Sequence, residues 1–180
     1  MKRAIIIHGW GGSPKGGWIP WLKKELESHG LQVITPQMPH TDCPTIADWV
    51  SYLTKIVGEP DRETYLIGHS IGCQTILRYL QSIDEKVGGV VFVAGWLTLS
   101  GIDSPEEKEV AKQWIETPID LEKVGTKAKF ISMFSDDDPY VPEENWAKFE
   151  ELGDVIIEDG IGHIEGITSS ILTSILKLIK

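Results

Sequence analysis

Cysteine is scarce in this sequence. The two present, Cys43 and Cys73, are too few to staple a 180-residue fold. The core must therefore hold the chain together, and a reducing compartment fits better than an oxidising one. Positive charge is also short: 17 Lys and Arg stand against 27 Asp and Glu, a formal net charge of −10. A nucleic-acid binder needs clustered Lys and Arg to displace counterions from phosphates. The densest pair here, Lys23-Lys24, sits beside Glu25 and Glu27 in an amphipathic stretch. No nucleic-acid partner is expected. Long apolar runs are missing too. The run Ile5-Ile6-Ile7 stops at His8-Gly9, too short for a signal-peptide core. The apolar period of Ile171 to Ile179 is closed by Lys177 and Lys180, well short of the ~20 residues of a membrane span. The expectation is a cytoplasmic protein with no membrane partner.

What is present is ordinary globular material. Hydrophobic residues make up 41% and charged residues 24%, so a packed core rather than disorder is the default. No repeat, linker or low-complexity tract divides the chain, which reads as one domain over residues 1–180. Short apolar runs alternate with longer amphipathic ones. Strands are expected at 4–7, 33–35, 64–67, 87–94, 128–134 and 155–157. Helices are expected at 18–28, 45–57, 73–83, 105–116, 142–152 and 167–179. Residues 95–127 are less regular, with the acidic helix 105–116 as their one element. Strands alternating with helices predict an α/β fold: a mostly parallel sheet of about six strands with helices on both faces. The continuous apolar run Val90 to Val93 agrees, because a parallel strand is buried on both sides.

Gly68-His69-Ser70-Ile71-Gly72 matches Gly-x-Ser-x-Gly. The pattern alone is weak, and a glycine-bounded turn with an N-cap serine would also satisfy it. Its context is stronger: a strand enters and a helix leaves, as a nucleophile elbow requires. The turn is tight enough that flanking Cβ atoms would clash, and the serine stands where the helix dipole favours negative charge. A phosphate-binding loop is the competing use of such glycines, but Gly-x-x-x-x-Gly-Lys is absent.

A serine needs a base to take its proton, and in this strand–helix order the acid and the histidine follow it. Of five histidines only His163 lies beyond Ser70, in the loop Gly160-Ile161-Gly162-His163. The acid belongs after the preceding strand, where Asp136, Asp137 and Asp138 compete. A metal-dependent hydrolase built on these three is disfavoured: adjacent carboxylates in one turn do not easily face one ion, and no His-rich set accompanies them.

These residues resemble the α/β-hydrolase superfamily and, within it, the small lidless serine hydrolases related to retinoblastoma-binding protein nine. The likeness is carried by His8-Gly9, the elbow, Trp18 to Leu26, Met38-Pro39, Arg78-Tyr79, Asp137-Asp138-Pro139 and His163, and it spans nearly the whole chain. It implies Ser70 as nucleophile, His163 as base and Asp138, just before the proline, as the acid. Pro139 also restricts the backbone of Asp138, which leaves Asp136 and Asp137 free to face water or cap the turn. The resemblance implies an oxyanion hole of two backbone N–H groups, from Ile71 and Trp10. No metal and no cofactor are implied. The Leu-x-Cys-x-Glu motif associated with retinoblastoma-protein binding is absent, so that partner is not expected. The expected function is a carboxylesterase-like serine hydrolase acting on small acyl substrates, whether esters, thioesters or amides. A non-catalytic interaction module on the same scaffold is the alternative. Trp96, with Leu97, Leu99 and Trp114, is expected to wall one side of a substrate cleft, with Trp10 and Trp18 on another.

Overall fold

A computed structural model describes all residues, 1–180. Six strands form one sheet: β1 (Arg3–Ile7), β2 (Gln32–Ile34), β3 (Thr64–His69), β4 (Gly89–Val93), β5 (Phe130–Ser135) and β6 (Asp154–Glu158). Their order is β2-β1-β3-β4-β5-β6, and every pair is parallel. The helices are α1 (Ile19–Ser28), α2 (Ile46–Val57), α3 (Ile71–Ser82), α4 (Pro105–Glu116), α5 (Leu121–Gly125), α6 (Glu144–Glu150) and α7 (Ser169–Ile179).

The alternation of side chains along each strand explains the unbroken apolar runs. Ile5, Ile7, Leu66, Val90 and Phe92 point into one core, shared with Leu53 of α2, Leu77 of α3 and Phe149 of α6. Ala4, Ile6, Ile67, Val91 and Val93 point into a second, shared with Leu22 and Leu26 of α1 and Ile171 and Ile175 of α7. Both faces of the central strands pack against helices, which is why their runs are almost wholly apolar.

The short helix α5 lies inside the segment expected to be irregular. Asp120 caps it, its side chain accepting from the Lys123 amide at 2.8 Å. Five residues are too few to display a helical period, so only the cap marked it in the sequence. The rest of that segment is fastened to α3. Buried Arg78 donates to the carbonyls of Trp114 and Thr117 at 2.7 and 2.8 Å, satisfying the C-terminal end of α4. Its guanidinium has no acidic partner, and desolvation pulls its pKa down to about 10.

The sheet direction sets where chemistry can sit. The chain leaves β1 toward β2 on one side and β3 on the other, so a crevice opens beyond the strand ends between β1 and β3. Trp10 follows β1, Ser70 follows β3, Trp96 follows β4, Asp138 follows β5 and His163 follows β6. All lie beyond carboxyl ends of parallel strands, and hence along one edge of the sheet.

Candidate active site

β3 runs to His69 and α3 begins at Ile71, so Ser70 alone makes the turn. Its backbone has φ +53° and ψ −120°, a conformation that L-residues seldom adopt. The surroundings hold it there. The Ser70 amide donates to the Val93 carbonyl, and its own carbonyl accepts from the Cys73 amide, both at 2.9 Å. A Cβ at Gly68 would come within 2.7 Å of the Cys73 nitrogen, and one at Gly72 within 2.5 Å of the Ile7 carbonyl oxygen. Glycine is required at both positions, for close packing of the helix against two strands. The Ile71 N–H, first in α3, has no intrahelical partner. The Trp10 amide likewise donates to no loop or turn acceptor.

His163 and Asp138 meet 25 residues apart in sequence. The His163 Nδ1–H donates to Asp138 Oδ2 at 2.8 Å. The Asp138 side chain is 1% exposed and that of His163 13%, so the acid is sealed and the imidazole reaches the cavity. Asp138 Oδ1 accepts from the amides of Tyr140 and Val141 at 2.9 and 3.2 Å, so both carboxylate oxygens are occupied. A carboxylate fixed this way selects the Nδ1–H tautomer and leaves Nε2 free to accept a proton. Ser70 and His163 line one cavity of about 930 Å³. The Ser70 hydroxyl makes no hydrogen bond to His163 in this state. Instead the Trp96 indole N–H donates to Ser70 Oγ at 3.3 Å. Such contacts often tighten only when substrate is bound.

The tryptophans expected as cavity walls have more particular roles. Trp96 is 1% exposed and meets the cavity beside the nucleophile. Trp114 is buried in the core, its indole donating to the Pro44 carbonyl. Trp18, though little exposed, does line the cavity as expected, and its indole donates to the Ile164 carbonyl at 2.9 Å. Trp10 is half-buried, and its indole donates to the Asp42 carbonyl at 3.1 Å, closing the mouth on that side.

Asp136 and Asp137 face water, as expected, and each also accepts from a backbone amide of a distant loop. Asp136 Oδ1 accepts from the Gly160 amide at 2.8 Å. Asp137 Oδ1 accepts from the Gly162 amide and the Ser135 hydroxyl, each at 2.7 Å. The Ser135 hydroxyl also accepts from the Ile161 amide at 3.0 Å. These groups serve the loop that carries His163. The Ser135 hydroxyl, followed by the Gly162 amide, holds the Asp137 carboxyl below the usual carboxylate range.

His69 is a further neighbour of His163 that the motif did not reveal. Its Nε2 lies 3.0 Å from the His163 carbonyl oxygen, so Nε2 must carry the proton. The two rings lie 5.1 Å apart, and Trp18 packs edge-on at 5.8 Å. Burial lowers the His69 pKa from 6.5 to about 4, with His163 adding to the effect and Asp138 opposing it. His8 is lowered as well by burial; its Nε2 accepts from the Met38 amide at 3.0 Å. A buried neutral histidine costs stability in acid, because only the unfolded chain takes a proton between about pH 6.5 and 4. Stability should therefore be complete above about pH 6.5 and fall toward pH 4, with His69 accounting for roughly 2 kcal/mol between pH 7 and 5. Urea unfolding of wild type and His69→Gln at both pH values checks this. Equal losses in the two proteins would show that His69 is not the group responsible.

A wholly parallel sheet whose switch-point crevice holds a Gly-x-Ser-x-Gly elbow is the architecture of the α/β hydrolases, and this protein has that fold. The chain belongs to the serine hydrolase family, whose model matches residues 4–167, and it is a serine hydrolase. YdeN of Bacillus subtilis is 32% identical over 144 residues, 78% of this chain and 73% of that protein. The crystal structure of the ydeN product superimposes with a TM-score of 0.89 at 25% identity, covering 99% of both chains. The rat serine hydrolase RBBP9 is 28% identical over 156 residues, 84% of this chain and 78% of that protein. Est1E of Butyrivibrio proteoclasticus, solved with ferulic acid bound, shares the fold with a TM-score of 0.79 at 15% identity, over 99% of this chain and 88% of that one.

Proposed function

We propose that this enzyme cleaves small acyl substrates through an acyl-enzyme intermediate on Ser70, with His163 as base and Asp138 as the acid that orients it. The observation that carries this reading is the 2.8 Å bond from a sealed carboxylate to a histidine opening into the cavity of the elbow serine. In the first half-reaction Ser70 Oγ attacks the acyl carbonyl carbon while His163 Nε2 takes the hydroxyl proton. The carbonyl oxygen becomes an oxyanion, accepted by the N–H groups of Ile71 and Trp10. The tetrahedral intermediate collapses, the bond to the leaving group breaks, and His163 returns the proton to it. Water then repeats the attack on the acyl-enzyme, with His163 again as base, and releases the acid and free Ser70. Asp138 stabilises each transient imidazolium without taking its proton. The Trp96 indole occupies one lone pair of Oγ, leaving the O–H to turn toward His163, and it borders the acyl group beside the nucleophile.

Leu99, Ile102 and Tyr140 offer the cavity short apolar surfaces rather than a long channel. Its charged lining consists of Asp42, Asp103, Glu107 and Glu165, without Lys or Arg. Short, uncharged acyl groups suit it, and anionic ones are repelled. A p-nitrophenyl ester series tests this. kcat/KM should peak at or below about eight acyl carbons, since each additional buried methylene would otherwise gain ~0.8 kcal/mol. A succinate monoester should be slower than the neutral four-carbon ester, the gap narrowing with salt. A rise continuing past eight carbons, or an anionic preference, contradicts the reading of the cavity.

A further inference from the structure

The loop that carries His163 is tied at five consecutive residues. The amides of Gly160, Ile161 and Gly162 donate to Asp136 Oδ1, Ser135 Oγ and Asp137 Oδ1. The His163 ring donates to Asp138, and its carbonyl accepts from His69 Nε2. The Ile164 carbonyl accepts from the Trp18 indole. Four of these partners, Ser135 to Asp138, are the end of β5 and the turn after it. Such density is unusual for a surface loop, which normally satisfies its backbone with water. It also coincides with unusual backbone: Gly160 and Gly162 take φ of +66° and +59°, which glycine adopts freely, while Ile164, a β-branched residue, is strained at φ +50°. Strain of this kind persists where neighbouring structure over-determines it.

We infer that Asp137, seconded by Ser135, is a positioning residue that sets the His163 loop at the height where the imidazole meets Asp138. The inference rests on the proposed role of His163. Asp137 Oδ1 joins the Ser135 hydroxyl to the Gly162 amide, the residue immediately before His163, and Ser135 in turn holds Ile161. The two side chains thus form a bridge from the buried end of β5 to the backbone beside the base. What the bridge supplies is an acceptor oxygen at a fixed point, not charge acting on the substrate. Removing the acceptor frees the Gly162 amide and lets the ring drift. A displacement of about 1 Å at a catalytic group can cost on the order of 10²-fold in rate.

The experiment compares Asp137→Ala, Asp137→Asn and Ser135→Ala with wild type on a neutral short p-nitrophenyl ester. Asp137→Ala should lose at least about tenfold in kcat with KM changed less than about twofold, because the acyl site is untouched while the base is misplaced. Asp137→Asn keeps an acceptor oxygen and should recover most of the loss. Ser135→Ala, which breaks the same bridge from its other end, should fall in the same direction. A far-downfield proton signal from the His163 Nδ1–H should be present in wild type and Asp137→Asn, and broadened or lost in Asp137→Ala. Circular dichroism reports folding; if Asp137→Ala does not fold, Ser135→Ala and Asp137→Asn decide the matter. A folded Asp137→Ala or Ser135→Ala with kcat within twofold of wild type overturns the inference. So does an Asn variant as impaired as the Ala variant, or a loss confined to KM. If Ser70→Ala retains activity on the same ester, the proposed triad itself fails. If Ser70→Ala is inactive while Asp137→Ala is unaffected, only the bridge is wrong.

Discussion

Replacing Ser70 by alanine is expected to lower kcat by roughly 10³-fold or more while the protein stays folded. The elbow geometry explains both halves of that expectation. Ser70 sits at φ +53°, held by the Val93 carbonyl and by the helix it begins. These are backbone bonds that alanine keeps. What alanine removes is the hydroxyl oxygen that the proposed mechanism acylates. The proposed oxyanion donors at Ile71 and Trp10 and the shape of the cavity remain, so a small residual rate above the uncatalysed one should persist. Steady-state kinetics on an activated ester, with thermal unfolding as the control, measures it. An alanine variant with full activity would place the nucleophile elsewhere.

The second large effect concerns Asp138. Changing it to asparagine keeps the size and one acceptor oxygen but places an NH₂ where a carboxylate oxygen stood. If that NH₂ faces the ring, Nδ1 must become an acceptor and the proton moves to Nε2, the wrong tautomer for accepting from Ser70. If the amide oxygen faces the ring instead, the NH₂ is set against the Tyr140 and Val141 amides, which are donors themselves. Either arrangement leaves a buried conflict. kcat should fall by roughly 10²–10⁴-fold. Asn at Asp136 or Asp137, where an acceptor oxygen suffices, should cost under about tenfold, the scale of a hydrogen bond weakened rather than lost. Measured kcat for the three Asn variants separates the roles. Loss of activity in the Asp136 or Asp137 variant with survival of Asp138→Asn would move the acid.

The sheet was legible because both of its faces are buried: runs such as Val90 to Val93 carry no polar residue, and helices separate them. The elbow was legible because Gly68 and Gly72 are steric necessities, not preferences. Chain order singled out His163, as no other histidine follows Ser70. Among the three aspartates, however, the residues alone left the choice open, and resemblance pointed to Asp138. The roles of Asp136, Asp137 and His69 were invisible for a physical reason. Their bonds run from side chains to backbone groups of a loop 24 to 94 residues away, and such bonds impose no periodicity on either partner. The tryptophans were legible in part: Trp10, Trp18 and Trp96 line the cavity as expected, whereas Trp114 is buried in the core and spends its indole N–H on the distant Pro44 carbonyl. Strand and helix limits differed mostly by a few residues. No limit moved by more than two residues, as at the elbow, where β3 extends to His69 and α3 starts at Ile71.

The most direct test of the proposed chemistry is the site of covalent capture by a fluorophosphonate, read by peptide mass spectrometry. Such a probe reacts with a serine activated by a neighbouring base, and the oxyanion donors stabilise its tetrahedral phosphorus. The expected result is one adduct per chain on Ser70, formed in wild type, slowed in Asp138→Asn and absent in Ser70→Ala, with no effect of a chelator. An enzyme that turns over esters while resisting the probe, or that carries the adduct on another residue, would contradict the account.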